Sequence, residues 1–219
     1  IGAETLSRIT NWTDRNTCVL FGDGAGAVLL REANGPGGIL TTMLGADGVG
    51  ADFLVIPAGG SRKPASAETV AAGLHTIQMD GRQVFRFATK TIPIAIRKLI
   101  QQAGISLKDV DLVIAHQASL RILQAAAERL GMPMEKMFVD IDRYGNTSTA
   151  SIPIALCGAI EEGKLQPGQR VVLVGFGAGL TWGAALLEWT GQPRVRRGWR
   201  WLLAALRRLW AALLRRIRR

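Results

Sequence analysis

Three short stretches carry residue types that could do chemistry: His116, Asn146 and the glycine turn 176–179, Phe-Gly-Ala-Gly. Each follows an apolar run that reads as a β-strand: Asp111 to Ala115, residues 137–141, and Gln169 to Gly175. In open α/β sheets ligands gather beyond the carboxyl ends of strands, so the three points are expected to converge. A histidine beside a side-chain amide supplies two neutral hydrogen-bond donors, suited to a thioester carbonyl acquiring enolate charge. Backbone N–H groups in a glycine turn can form an oxyanion hole without side-chain obstruction. The same residues also fit a satisfied core histidine and a helix cap, and residue type alone leaves both readings open.

Other candidates carry less. Gly22-x-Gly24 and Gly175-x-Gly177 have the look of a dinucleotide fingerprint, but neither runs into a helix with its third glycine, and no lysine follows to hold phosphates. Tight turns between strands explain them better. Cys18 reads as part of an apolar strand and Cys157 as part of a helix, neither beside a cation that would lower a thiol pKa. Both are expected to be small core residues. His75 lies among small residues with no recognisable partner, and no cysteine or histidine spacing suits a metal.

The elements that must position these residues follow from periodicity. Residues 18–21 and 27–30 read as strands on either side of a glycine turn, and 39–44 as another strand, followed by a long loop region to about residue 78. From Gln83 to Ala103 the positions Val84, Phe87, Ile92, Ile96, Leu99 and Ile100 recur at helical spacing, and Gly104 stops the helix. Ser119 is placed to cap a helix running to Leu130, closed by Gly131. A further helix is expected from after Ser148 to about Glu162, and a last strand from Trp182 to Trp189. Strand–helix–strand–helix–strand implies an α/β layered fold.

Together these segments resemble β-ketoacyl-acyl carrier protein synthase III, a condensing enzyme family of the thiolase superfamily. The resemblance rests on Asp14-Arg15, Phe21-Gly22-Asp23-Gly24-Ala25-Gly26-Ala27 and Met79-Asp80-Gly81-Arg82-Gln83-Val84-Phe85-Arg86. It continues through His116-Gln117-Ala118-Ser119-Leu120-Arg121-Ile122, Asp142-Arg143-Tyr144-Gly145-Asn146-Thr147-Ser148 and Gly175-Phe176-Gly177-Ala178-Gly179-Leu180-Thr181-Trp182-Gly183. It implies a thiolase-like fold of one complete half, 34–193, preceded by the end of the other half, 1–33. It also implies decarboxylative Claisen condensation of an acyl-coenzyme A with malonyl-acyl carrier protein, no cofactor, a homodimer and a cytoplasmic setting. A polyketide or long-chain condensing enzyme of the same superfamily is the nearest alternative, and a non-catalytic interaction protein on a degenerate half-fold the more distant one.

By motif match, His116 and Asn146 would bind the malonyl thioester carbonyl, Ala178 N–H would be one oxyanion-hole donor, and Phe176 would stand beside the malonyl carboxylate. Gly81, Phe85 and Ala118 match walls of the pantetheine tunnel, and Arg121 a basic residue at its carrier-protein mouth. Ser119 stands where the family usually has asparagine, which shortens a pantetheine contact. The family's nucleophilic cysteine falls before Ile1, so two members of a Cys-His-Asn triad are expected in this stretch. The opening Ile1-Gly2-Ala3 has no Met and no signal-peptide pattern, as expected of a piece entering mid-fold.

The net charge of +10 over 219 residues belongs to one end. Ten of the 27 basic residues, all arginine, lie in 194–219 with no acid among them, so the rest balances 17 basic against 17 acidic residues. Reading the whole chain as a nucleic-acid binder from its charge is therefore excluded. At helical spacing Trp199, Leu202, Leu203, Leu206, Leu209, Trp210, Leu213, Leu214 and Ile217 share one face. Arg200, Arg207, Arg208, Arg215, Arg218 and Arg219 hold most of the other, with Trp201 among them. Such a helix suits the interface of an anionic membrane better than packing on its own body or a partner, and a nucleic acid would leave its apolar face unburied. No run of eighteen uncharged apolar residues is present, so no bilayer span is expected. Each arginine near an anionic surface contributes about 1 kcal/mol, and the apolar face adds a part that salt does not screen. Sedimentation with anionic vesicles should therefore weaken in salt, persist in part, and vanish when 194–219 is deleted. Equal sedimentation of the intact and shortened chains would rule the tail out as an anchor.

Overall fold

The computed structural model describes residues 1–32 and 35–191, so the helix expected over 194–219 lies outside the described residues. In chain order these form β1 (Gly2–Glu4), α1 (Arg15–Cys18), β2 (Gly24–Gly26), β3 (Gly38–Ala46), β4 (Leu54–Val55), α2 (Ala67–Ala71) and β5 (Gln78–Met79). There follow α3 (Gly81–Gln102), β6 (Leu112–Ala115), α4 (Leu120–Leu130), α5 (Ile141–Tyr144), α6 (Ser151–Glu161), β7 (Arg170–Gly177) and β8 (Thr181–Glu188). The main sheet has the order β3-β8-β7-β6, with β6 and β7 parallel and the other neighbours antiparallel.

Two cores flank this sheet, and strand alternation assigns each side chain to one of them. Val113, Ala115, Val172, Val174, Ala184 and Leu186 pack with Ile92, Ile96 and Leu99 of α3 and Leu123 and Ala126 of α4. Leu112, Ile114 and Val171 face the other way, onto Ala155, Leu156 and Ala159 of α6 with Phe138. This is the α/β layering expected from the sequence. Helix α3 begins two residues earlier than its apolar spacing implies, because the Asp80 side chain accepts from Arg82 N and Gln83 N at 3.1 Å each. Gly131 ends α4 at a φ of 68°, as its position after the last apolar residue suggests. Among the described residues no helix is long and apolar enough to cross a membrane.

The N-terminal reading needs correction. Residues 15–18 are helical, and Gly24–Gly26 of the stretch read as a turn form a strand, β2, paired antiparallel with β1. A Cβ on Gly26 would stand 2.7 Å from the Pro153 side chain, so glycine is what lets β2 lie against α6. The apolar run 27–30 is not a strand; Leu29 is 92% exposed, and Leu44 on β3 is 89% exposed. The stretch to residue 78 is also more ordered than a loop. It holds the β4–β5 pair and α2, whose Ser66 and Thr69 form a capping box.

Residues 137–141 do not form the expected strand. One bridge, with Phe138 N–H donating to Val113 O at 2.9 Å, is followed by a side chain acting as the ladder. Gln117, 1% exposed, donates through Nε2 to Ala115 O (2.8 Å) and Phe138 O (3.2 Å) and accepts at Oε1 from Asp140 N–H (3.1 Å). The amide thus replaces strand pairing where the chain turns toward α5. Asp140 is buried there, and burial raises its carboxyl pKa to about 6, with Arg143 opposing and Asp142 and Glu162 adding to the rise. Gln117→Leu keeps a similar volume and strips Asp140 N–H and Phe138 O of this partner. It should cost about 2–4 kcal/mol, seen as a lower urea midpoint at unchanged slope. A loss below about 1 kcal/mol would show that the amide does not hold this segment.

Candidate active site

β6 ends at Ala115, yet the next N–H, that of His116, still donates to Val174 O at 2.8 Å. The parallel register Ala115↔Val174 therefore delivers His116 and Phe176 to the same end of the sheet. Their rings meet edge to face with centroids 5.2 Å apart at 67°. Phe87 of α3 closes on Phe176 at 6.4 Å and 70°. Helical spacing marked Phe87 only as a core position; nothing in the sequence pairs it with a residue 89 positions away. Burial lowers the His116 pKa to about 4, so the imidazole is neutral at neutral pH. Its Nδ1 lies 2.6 Å from Ser151 Oγ, at the start of α6.

Asn146 sits in the connection between α5 and α6 and is held from outside the main sheet. Gly22 N–H donates to Asn146 O at 2.8 Å, and Asn146 N–H donates to Leu20 O at 3.0 Å. A Cβ on Gly22 would stand 2.6 Å from Tyr144 O, so this clasp closes only around glycine. Asn146 Oδ1 accepts from Ser148 N–H at 3.0 Å, with Ser148 itself in the left-handed region at a φ of 50°. With its oxygen engaged, the amide leaves Nδ2 and its two protons as donors. Asn146 is 8% exposed and is not the N-cap of α6.

An open cavity of about 1080 Å³ is lined by His116, Asn146, Phe176, Gly81, Phe85, Ala118, Ser119 and Arg121. Eight of the nine site residues expected from the sequence thus share one space. The ninth, Ala178, lines an adjoining cavity of about 900 Å³ that shares His116, Phe176 and Gly177 with the first. Ala178 is exposed, and its N–H has no hydrogen-bond partner among the described residues. Ser119 holds the N-cap position of α4, but its side chain makes no capping bond. Arg82 and Arg86, one turn apart on α3, line the larger cavity with Arg121, and all three are exposed. The i, i+4 arginine pair was the available signal for this cluster.

The remaining candidates fall elsewhere. His75 lines neither cavity and does have a partner: its Nε2 lies 2.9 Å from Thr69 Oγ1. Cys18 is half-buried at the end of α1 rather than in a strand. Cys157 lies in α6 as expected but is exposed rather than in the core, with Sγ 3.8 Å from Glu161 Oε1.

Comparison with known proteins places this arrangement. The family profile "3-Oxoacyl-[acyl-carrier-protein (ACP)] synthase III C terminal" matches residues 100–189, and its companion "3-Oxoacyl-[acyl-carrier-protein (ACP)] synthase III" matches residues 1–48. The β-ketoacyl-[acyl-carrier-protein] synthase III of Symbiobacterium thermophilum is 52% identical over 189 residues, 86% of this chain and 57% of that protein. That of Clostridioides difficile is 53% identical over 190 residues, 87% of this chain and 58% of that protein. The crystal structure of 3-oxoacyl-[acyl-carrier-protein] synthase III from Aquifex aeolicus superposes with a TM-score of 0.76 at 43% identity, covering 85% of this chain and 56% of that one. The chain spans less than three-fifths of the length of these relatives. It has the thiolase-like α/β fold of their C-terminal part, and it belongs to the β-ketoacyl-[acyl-carrier-protein] synthase III family.

Proposed function

We propose that this chain forms the malonyl-binding half of a decarboxylating Claisen condensing enzyme. The observation that carries the reading is that His116 and Asn146, from separate segments, open on one cavity as neutral donors beside Phe176. When the malonyl C–C bond to the carboxylate breaks, its electron pair moves into the thioester and carbon dioxide leaves. The enolate oxygen then accepts hydrogen bonds from the imidazole N–H and the Asn146 amide. The enolate carbon attacks the acyl carbon of an acyl-cysteine, and the cysteine leaves as thiolate. Ala178 N–H serves as one donor to the oxyanion of that step.

The cysteine is the one the family places in the portion preceding this stretch. Phe176 gives the malonyl carboxylate an apolar neighbour that favours its loss as neutral carbon dioxide. Gly81, Phe85, Ala118 and Ser119 flank the pantetheine arm. Arg121, with Arg82 and Arg86, offers charge to its phosphate and to an acidic carrier protein. The same reading makes the complete enzyme a cytoplasmic homodimer, with residues 194–219 as a peripheral anchor at the inner membrane face.

Four results test this. Joined to the family's N-terminal portion, His116→Ala and Asn146→Ala should each slow decarboxylation of a malonyl thioester about 100- to 1000-fold. Acylation by acetyl-coenzyme A should be left intact, while the present chain alone should take up no acyl label. Parent-rate decarboxylation in both variants, or a stable label on Cys18 or Cys157, would sink the assignment. Arg121→Glu should weaken use of the carrier protein more than use of a small malonyl thioester. Because His116 is already neutral well above pH 4, the decarboxylation rate should show no histidine ionisation between pH 5 and 8.

A further inference from the structure

We propose that Ser151 is a positioning residue whose hydroxyl donates to His116 Nδ1 and so fixes the imidazole with its proton on Nε2. The purpose of that tautomer rests on the function proposed above; the tautomer itself does not. His116 Nδ1 and Ser151 Oγ are 2.6 Å apart, and the two residues are 9% and 2% exposed. A hydroxyl offers one proton and two lone pairs. One lone pair faces the Gln117 N–H, which lies 3.4 Å from Ser151 Oγ. The proton needs an acceptor, and among the described residues the only one bonded to this hydroxyl is His116 Nδ1. If Nδ1 carried the proton instead, the proton of this 2%-exposed serine would have no acceptor among the described residues.

The other restraints on the ring do not choose between its nitrogens. The His116 N–H bond to Val174 O fixes the backbone, and the edge contact with Phe176 fixes the ring plane. Among the described residues only Ser151 bonds a ring nitrogen of His116 and so distinguishes Nδ1 from Nε2. Nε2 has no hydrogen bond to the described residues, and His116 lines both cavities, so the proton is presented to whatever fills them. Burial keeps the ring neutral, which makes tautomer choice the deciding variable.

This can be read on the present chain without any turnover. Two-bond proton–nitrogen spectra of histidine-labelled protein at pH 7 distinguish a protonated from an unprotonated ring nitrogen, and His75→Gln separates the two histidines. His116 should show a protonated Nε2 and a bare Nδ1. Ser151→Ala should collapse that preference into a mixture, and Ser151→Thr should restore it. In the joined enzyme Ser151→Ala should lower malonyl decarboxylation about tenfold to a hundredfold, the usual scale for losing a ligand-orienting partner. A protonated Nδ1 in the parent protein overturns the proposal, even if Ser151→Ala proves unfolded. So does an unchanged tautomer in a folded Ser151→Ala. If His116→Ala leaves decarboxylation untouched while the tautomer is as stated, the proposed function fails and the serine's role in orienting the ring stands.

Discussion

The parallel pairing of Leu112–Ala115 with Val171–Val174 is the constraint on which the site depends. Side chains alternate across this pair, Val113 and Ala115 toward α3 and α4, Leu112 and Ile114 toward α6. Sliding β6 by one residue would exchange the two sets and set His116 out of step with Phe176. Full burial of a single valine or leucine side chain is worth about 1.5–3 kcal/mol, so two cores fitted to this alternation oppose the slip strongly. Placement of the imidazole is thus a by-product of burying aliphatic side chains on both faces.

Asn146 is held by different means. Its backbone is clasped by Leu20 and Gly22, segments far away in sequence, while Ser148 N–H turns its amide. One donor comes from the sheet and the other from a loop pinned by the segment Leu20–Gly22 that leads into β2. Neither depends on a charged partner: among the described residues the ion pairs are Arg143–Glu162 and Lys164–Glu162, both on the surface. The site is arranged by backbone hydrogen bonds and packing, which do not rearrange when charge develops on a ligand.

Much of this was legible in the sequence because the signals were long or repeated. The spacing of Ile92, Ile96 and Leu99 marked α3, and Gly131 marked the end of α4. Motif order points to His116, Asn146 and Phe176 meeting in one place, and they line one cavity. Short apolar runs failed, since four residues cannot distinguish a strand from an exposed segment, as at 27–30. The 137–141 reading failed because Gln117, distant in sequence, supplies the bonds a strand would have made. Ser151 carried no signal of its own, and Phe87 only that of a core position. Their roles exist only through neighbours 35 and 89 positions away.

Asp140 and His116 depart from ordinary acidity in opposite directions, and together they set how folding handles protons. Burial lifts the carboxyl from 3.8 to about 6 and drops the imidazole from 6.5 to about 4. Between pH 4 and 6 the unfolded chain holds a protonated histidine and an ionised aspartate, and the folded chain holds the reverse pair. The aspartate's contribution to stability grows as pH falls through this window, and the histidine's is lost over the same interval. The proton taken up by one group on folding is released by the other, and the pair leaves stability nearly level where either alone would tilt it.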